Sequence, residues 1–308
     1  RDRYGFFAEW KGDIARDWDF EFGTRLNWIR MNAGTVSAAG APPFAPGKPG
    51  TILADNFNAS DRLKNDVNVD VVAVVTHYFN SNVAIELGFG RKTRSPSYQE
   101  RYLWMPLNAT GGLADGRNYI GNIDLTPETS YQAELGFDWQ ENSVYVTPRA
   151  FYRYVDDYIQ GTPTQNKAAL AIDPNTLEYT NVDAHLYGVD LEAGYRLLED
   201  WRIDFMLSYV RGRRADVSDN LYRIAPLNGR LSFFYDTEEW LAGTELVGYD
   251  KQTKTAEYND EVPTAGYVIW NLRMQYRPQY KYVQGLQLGF GIENLLDKEY
   301  RVHLSGLN

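Results

Sequence analysis

The connectors of this 308-residue chain alternate between very short and very long, and that asymmetry constrains the fold more than any single residue. The short ones read Ala15-Arg16-Asp17, Phe79-Asn80-Ser81-Asn82, Gln140-Glu141-Asn142-Ser143, Leu198-Glu199-Asp200 and Thr237-Glu238-Glu239. Between them lie polar or Gly/Pro-rich stretches near 34–62, 93–129, 160–184, 212–225 and 254–265. An antiparallel sheet with tight turns at one end and long loops at the other is the sequence form of a transmembrane β-barrel. A soluble sheet has no reason to sort its loops by end.

About twelve segments alternate with period two, as half-buried strands do. Tyr131, Ala133, Leu135, Phe137 and Trp139 share one face, opposite Gln132, Glu134, Gly136 and Asp138. Leu286–Glu293, Trp201–Tyr209 and Val83–Phe89 repeat the pattern, and residues 1–4 already read as strand. A soluble antiparallel sandwich would also alternate. Three features favour the membrane. Many of these segments run to twelve residues or more, whereas soluble strands centre near 5–6 and a tilted membrane strand needs about 9–11. Trp18, Trp139, Trp201 and Trp240 sit beside short turns, as an interfacial aromatic girdle would. The polar face carries mid-strand charges (Asp70, Glu86, Arg149, Arg153, Asp190, Glu192) suited to a wet or plugged lumen.

Composition agrees. Aromatics reach 15%, with 23 Tyr and 8 Trp, residues suited to sites apolar at one end and wet at the other. A mean hydropathy of −0.48 is compatible with a barrel because half of each strand faces a polar lumen. No apolar run reaches the roughly 20 residues of a spanning helix. With no cysteine, thiolate metal sites are excluded, and a net charge of −10 argues against nucleic acid. In outer-membrane barrels the short turns are periplasmic and the long loops extracellular. Pro148 falls within a strand and predicts a bulge or local distortion.

The segment Arg94-Ser95-Pro96-Ser97-Tyr98-Gln99-Glu100-Arg101-Tyr102 is followed by Gly121-Asn122-Ile123-Asp124-Leu125-Thr126-Pro127-Glu128-Thr129-Ser130 and Glu134-Leu135-Gly136. Together they resemble a signature of TonB-dependent outer-membrane receptors. Ala150–Ile159, Tyr187–Glu192 and Asn294-Leu295-Leu296-Asp297-Lys298-Glu299-Tyr300 are similar to later motifs of that family in the same order. The resemblance implies an all-β fold, about twelve strands of a twenty-two-stranded barrel plugged by an N-terminal domain. On that expectation residues 1–308 are the C-terminal portion of the barrel, without plug, early strands or last strand. It also implies active uptake of a metal or metal complex, with the TonB complex as partner through the N-terminal region, no resident cofactor and no enzymatic step. Residues 101–107, 109–117, 155–161 and 221–226 resemble the copper-receptor branch, so copper or an iron complex is the expected cargo.

The same loops supply the candidate ligand contacts: Arg101, Tyr102, Trp104, Met105, Arg117 and Tyr158. Met105 and Met31 are the candidate thioether ligands for copper, since soft sulfur suits Cu(I); packing is the plainer role for each. Arg91, Arg211 and Arg213 fall on the outward register at loop ends, where guanidinium would match lipopolysaccharide phosphates. His77, His185 and His303 have no ligand spacing, and neither His185 nor His303 has an evident carboxylate or serine partner. Ser97 and Glu100 fit a capping box or a turn after Pro96. Thr110-Gly111-Gly112 and Asp115-Gly116 are turn chemistry. A ferric-siderophore receptor is the alternative within transport; a porin, an outer-membrane enzyme and a soluble β-rich module are the others.

Overall fold

The computed structural model describes residues 1–38, 45–108, 116–283 and 285–305. Among the described residues twelve antiparallel strands, all but the last of them long, follow one another in sequence and in space: β1 (Asp2–Ala15), β2 (Trp18–Met31), β3 (Lys64–Asn80), β4 (Val83–Arg94), β7 (Glu128–Glu141), β8 (Val144–Pro163), β9 (Leu177–Leu198), β10 (Trp201–Arg214), β11 (Asn228–Asp236), β12 (Trp240–Tyr249), β13 (Tyr267–Tyr276) and β14 (Leu288–Ile292). Two short strands, β5 (Leu107–Asn108) and β6 (Asn118–Ile120), pair with each other, and β6 adds in parallel to β9. Among the described residues β1 and β14 do not pair, so the sheet is an open arc.

The register confirms the two faces. Leu26, Val69 and Phe6 share one row, and Leu87 opposes Leu135; on this apolar face Phe6, Phe89 and Leu135 are 77%, 60% and 51% exposed. Apolar side chains so exposed in mid-strand call for a lipid solvent. The other face carries Arg149 paired with Asp138 at 2.8 Å, and Glu245 between Arg273 (3.2 Å) and Arg230 (3.6 Å). Such partly solvated pairs are worth about 0–1 kcal/mol each, so they mark a wet face more than they stabilise it. At the short-turn end Trp18 stacks on His77 at 4.2 Å, Trp201 on Phe233 at 5.0 Å, and Trp240 packs on Tyr276 at 4.4 Å.

Five connectors at that end are the short turns expected, but residues 277–287 form a longer one between β13 and β14. At the other end the structure departs from the sequence expectation. Much of the 160–184 stretch is strand: β8 and β9 run on as a hairpin to the Pro163–Leu177 pair. Its polar residues mark strand that has left the membrane, not loop. Among the described residues three α-helices also form there: α1 (Pro49–Ala59), α2 (Tyr98–Tyr102) and α3 (Lys167–Ile172). Pro148 makes no bulge. The register continues from Gly136–Arg149 to Trp139–Val146, with only the intervening rungs missing. The carbonyl of Phe137, opposite Pro148, accepts from Arg149 Nη1 at 3.1 Å, so the absent proline N–H is replaced by a side chain. The bulge lies instead between Val155 and Tyr158, where Asp157 takes a φ of +58°. Most buried apolar side chains lie toward the loop end, on helices, loops and the loop-ward ends of strands, in clusters such as Ile29, Met31, Ala33, Phe57 and Tyr102.

Candidate functional site

The loop end of the arc is built on ion pairs that the sequence pattern had scattered, one centred on exposed Arg94 and one on buried Arg101. Arg94, the last residue of β4, takes both oxygens of Glu128 at 2.7 Å and reaches Glu100 at 2.8 Å. Ser97 Oγ accepts from the Glu100 N–H at 3.2 Å while Glu100 Oε2 accepts from the Ser97 N–H at 2.6 Å. The capping box is therefore real, and its glutamate also anchors helix α2 to the wall. Glu128 Oε1 accepts from the Ile159 N–H at 2.7 Å, drawing the bulged β8 into the same assembly.

Arg101 is 2% exposed and grips both oxygens of Asp66 at 2.8 Å. It also donates to Leu125 O at 2.9 Å and approaches Met31 Sδ at 3.6 Å. Tyr102 is equally enclosed, 5% exposed, with its hydroxyl donating to Arg62 O at 2.8 Å. Met31 is fully buried beside Ile29 and Phe57, a packed thioether. Trp104 packs between two apolar clusters, and Met105 is half-buried next to it. Arg117 reaches across to Asp260 at 2.8 Å, tying two loops together. The stretch 109–115, with Thr110-Gly111-Gly112 and Asp115, lies outside the described residues.

Two cavities open among these loops. One, about 540 Å³, is lined by Tyr119, Tyr158, Tyr179 and Tyr222 with Glu100 and Arg223. Burial pushes the Tyr158 phenol up, reinforced by the Glu128 carboxylate. The second, about 180 Å³, is bounded by Arg101, Trp104, Phe57, Asn166 and Glu178. Of the six ligand-loop candidates, Tyr158 lines the larger cavity and Arg101 with Trp104 the smaller. Tyr119 and Tyr179 were not singled out from sequence, and Tyr222 and Arg223 figured there only within the 221–226 motif. Tyr119 stacks on Tyr179 at 5.2 Å through the β6–β9 pairing, across sixty positions with no local signal. Tyrosines standing in otherwise polar loops were the available clue.

Gly121 holds the floor of the smaller cavity. Its N–H donates to Leu103 O at 2.7 Å, and a Cβ there would come within 2.9 Å of the backbone of Gln99, Arg101 and Leu103. Gly121→Ala is expected to cost about 1–3 kcal/mol of local stability, as overpacking does. Hydrogen exchange would show it as lost protection at Leu103 and at Asn122, whose N–H donates to Glu100 O at 2.8 Å.

The loops from the far half interlock with these. Gln160 Nε2 donates to Asn259 Oδ1 at 3.1 Å and Gln160 Oε1 accepts from Tyr222 N at 3.2 Å. His303 corrects the sequence expectation: its Nε2 lies 3.1 Å from Glu261 Oε1 and its Nδ1 3.1 Å from Thr264 Oγ1, both partners buried. Glu261 also accepts the N–H groups of Arg223 and Ala256, so the trio fastens a loop. His185 Nδ1 meets the Tyr152 hydroxyl at 2.7 Å. Among the described residues no three His, Cys, Asp or Glu converge as a metal cage. Arg91, Arg211 and Arg213 lie on the apolar-face register, away from both cavities.

Residues 1–295 match the family model described as "TonB dependent receptor-like, beta-barrel". Among curated relatives, the heme/hemopexin utilization protein C of Haemophilus influenzae is 24% identical over 234 residues, covering 68% of this chain and 32% of that protein. The vitamin B12 transporter BtuB of Vibrio vulnificus is 23% identical over 91% of this chain and 46% of its own length. Among solved structures, the copper transporter OprC superposes with a TM-score of 0.77 at 22% identity, over 98% of this chain and 42% of that one. The FrpB iron transporter from Neisseria meningitidis gives 0.68 at 14% identity, over 98% and 42%. The chain thus spans less than half the length of each.

Proposed function

Because this chain belongs to the TonB-dependent receptor β-barrel family and so lies in the outer membrane, we propose that it serves energised uptake of a small metal-containing ligand from outside the cell. On this reading the ligand is received at the loop end, the TonB complex supplies the energy, and no bond of the ligand is broken, so the chain is no enzyme. The single observation that supports it best is the tyrosine-lined cavity of about 540 Å³ beneath interlocked loops. Phenol rings with one arginine and one glutamate offer stacking and charge to an intact complex. They offer little to bare copper, which prefers sulfur and imidazole. Copper itself is a second reading, favoured by half-buried Met105 at the loop surface and by the likeness to a copper transporter.

The test is equilibrium binding to the receptor in its whole natural chain, with ferric chelates and free copper as probes. Saturable binding of a chelate, weakened about tenfold by Tyr158→Ala with Tyr222→Ala, is the expected result. Binding of free copper alone, lost on Met105→Leu, would replace it with the second reading.

A further inference from the structure

The apolar face ends, toward the loops, in one row of directly opposed residues that crosses five consecutive strands. Arg91 opposes Tyr131, Tyr131 opposes Tyr154, Tyr154 opposes His185, and His185 opposes Arg213. The adjoining row toward the membrane interior carries Tyr152, Tyr187 and Arg211. Four strand spacings separate the terminal arginines, about 19 Å. The Arg91 guanidinium lies over the Tyr131 ring at 5.9 Å and gives one N–H to Val69 O, leaving its other donors for a ligand. Arg213 is exposed, and among the described residues its guanidinium makes no ion pair or side-chain hydrogen bond. Arg211 is held by Asn220.

We propose that this row is a docking site for phosphorylated glycolipid of the outer leaflet, with Arg91 and Arg213 as its phosphate clamps. The argument rests on depth and charge. Immediately below lie Phe89, Leu135 and Val189, 60%, 51% and 43% exposed, which need acyl chains. Immediately above, on the same face, stand Asp156 and Asp183, carboxylates that accept sugar hydroxyls. Apolar band, arginine row and carboxylates thus match chains, phosphates and sugars in order. Guanidinium matches phosphate bidentately, and tyrosine suits the boundary between wet and apolar. Against a chain of net charge −10, cations at this one depth complement an anionic headgroup. The reading depends on the barrel lying in the outer membrane and is independent of any cargo.

The experiment measures glycolipid phosphate co-purifying per receptor from outer membranes in mild detergent, using the whole natural chain. Arg91→Gln with Arg213→Gln is expected to lower it about fivefold, in line with two partly exposed ion pairs. Arg149→Gln, on the charged face, is expected to leave it unchanged. Heat-modifiable gel mobility reports that each variant is folded. Arg91→Lys with Arg213→Lys keeps the charge and is expected to retain more than half. Unchanged glycolipid in the glutamine pair, equal loss in Arg149→Gln, or equal loss in the lysine pair would overturn the proposal.

Discussion

Asp66→Ala is expected to be the most damaging single change at the loop end, costing about 3–5 kcal/mol of local stability. Arg101 is 2% exposed and Asp66 7%, so removing the carboxylate leaves a guanidinium buried without its counter-ion. Its remaining partners are one carbonyl, Leu125 O, and the weak acceptor Met31 Sδ. Arg101 Nε already has no partner, so the pair has no spare hydrogen bonds to absorb the loss. The consequence should be confined to what Arg101 clamps, helix α2 and residues 119–127, because the sheet is held separately by its ladder. Limited proteolysis and hydrogen exchange over 95–127 would register it while the barrel stays folded. The double change Asp66→Leu with Arg101→Met should recover much of the protection, since paired removal of a buried ion pair is often neutral. Wild-type protection in Asp66→Ala would show that the clamp carries no weight.

Leu135→Arg is expected to cost about 2–4 kcal/mol of barrel stability, the range for a cation on the lipid face near mid-membrane. Leu135 lies midway along β7, opposite Leu87 on one side and Ala150 on the other. Ser208→Arg, midway along β10 but on the charged face beside Asp190, should cost well under 1 kcal/mol. Urea titration of the whole natural chain in phospholipid bilayers compares the two directly. Equal costs would mean that the faces are not solvated by lipid and by water respectively.

The sheet was legible because period-two alternation and turn spacing are local properties. The Trp-flanked turns, the mid-strand charges and the outward register of Arg91, Arg211 and Arg213 all follow from counting residues. The loop end was less legible. Its order comes from contacts such as Arg101 to Asp66, 35 positions apart, and Gln160 to Asn259, 99 apart. No periodicity encodes those. The motif around Arg94 resembled a family signature, and only the structure supplied its physical reason: one guanidinium joining two loop glutamates. Arg101 and Tyr102 were singled out because they stand in a loop that resembles the copper-receptor branch, and the structure adds that both have buried structural partners. His303 could not be paired from sequence because Glu261 lies 42 positions away. Pro148 brought the local distortion expected, two missing rungs, without a bulge, because a side chain, Arg149, took over the bond that the backbone lacked.

The extra residue at Asp156–Asp157 shifts the alternation of the projecting β8–β9 hairpin by one position. Val155 and Tyr158 pack with Leu221, although three positions separate them and strict alternation would set them back to back. Ile159 is thereby free to turn the other way, into the cluster of Tyr119, Leu125 and Tyr179. One inserted carboxylate therefore allots a phenol to one loop group and an aliphatic side chain to the other. Above the membrane, which side chain packs into which loop cluster is thus set by a count of residues.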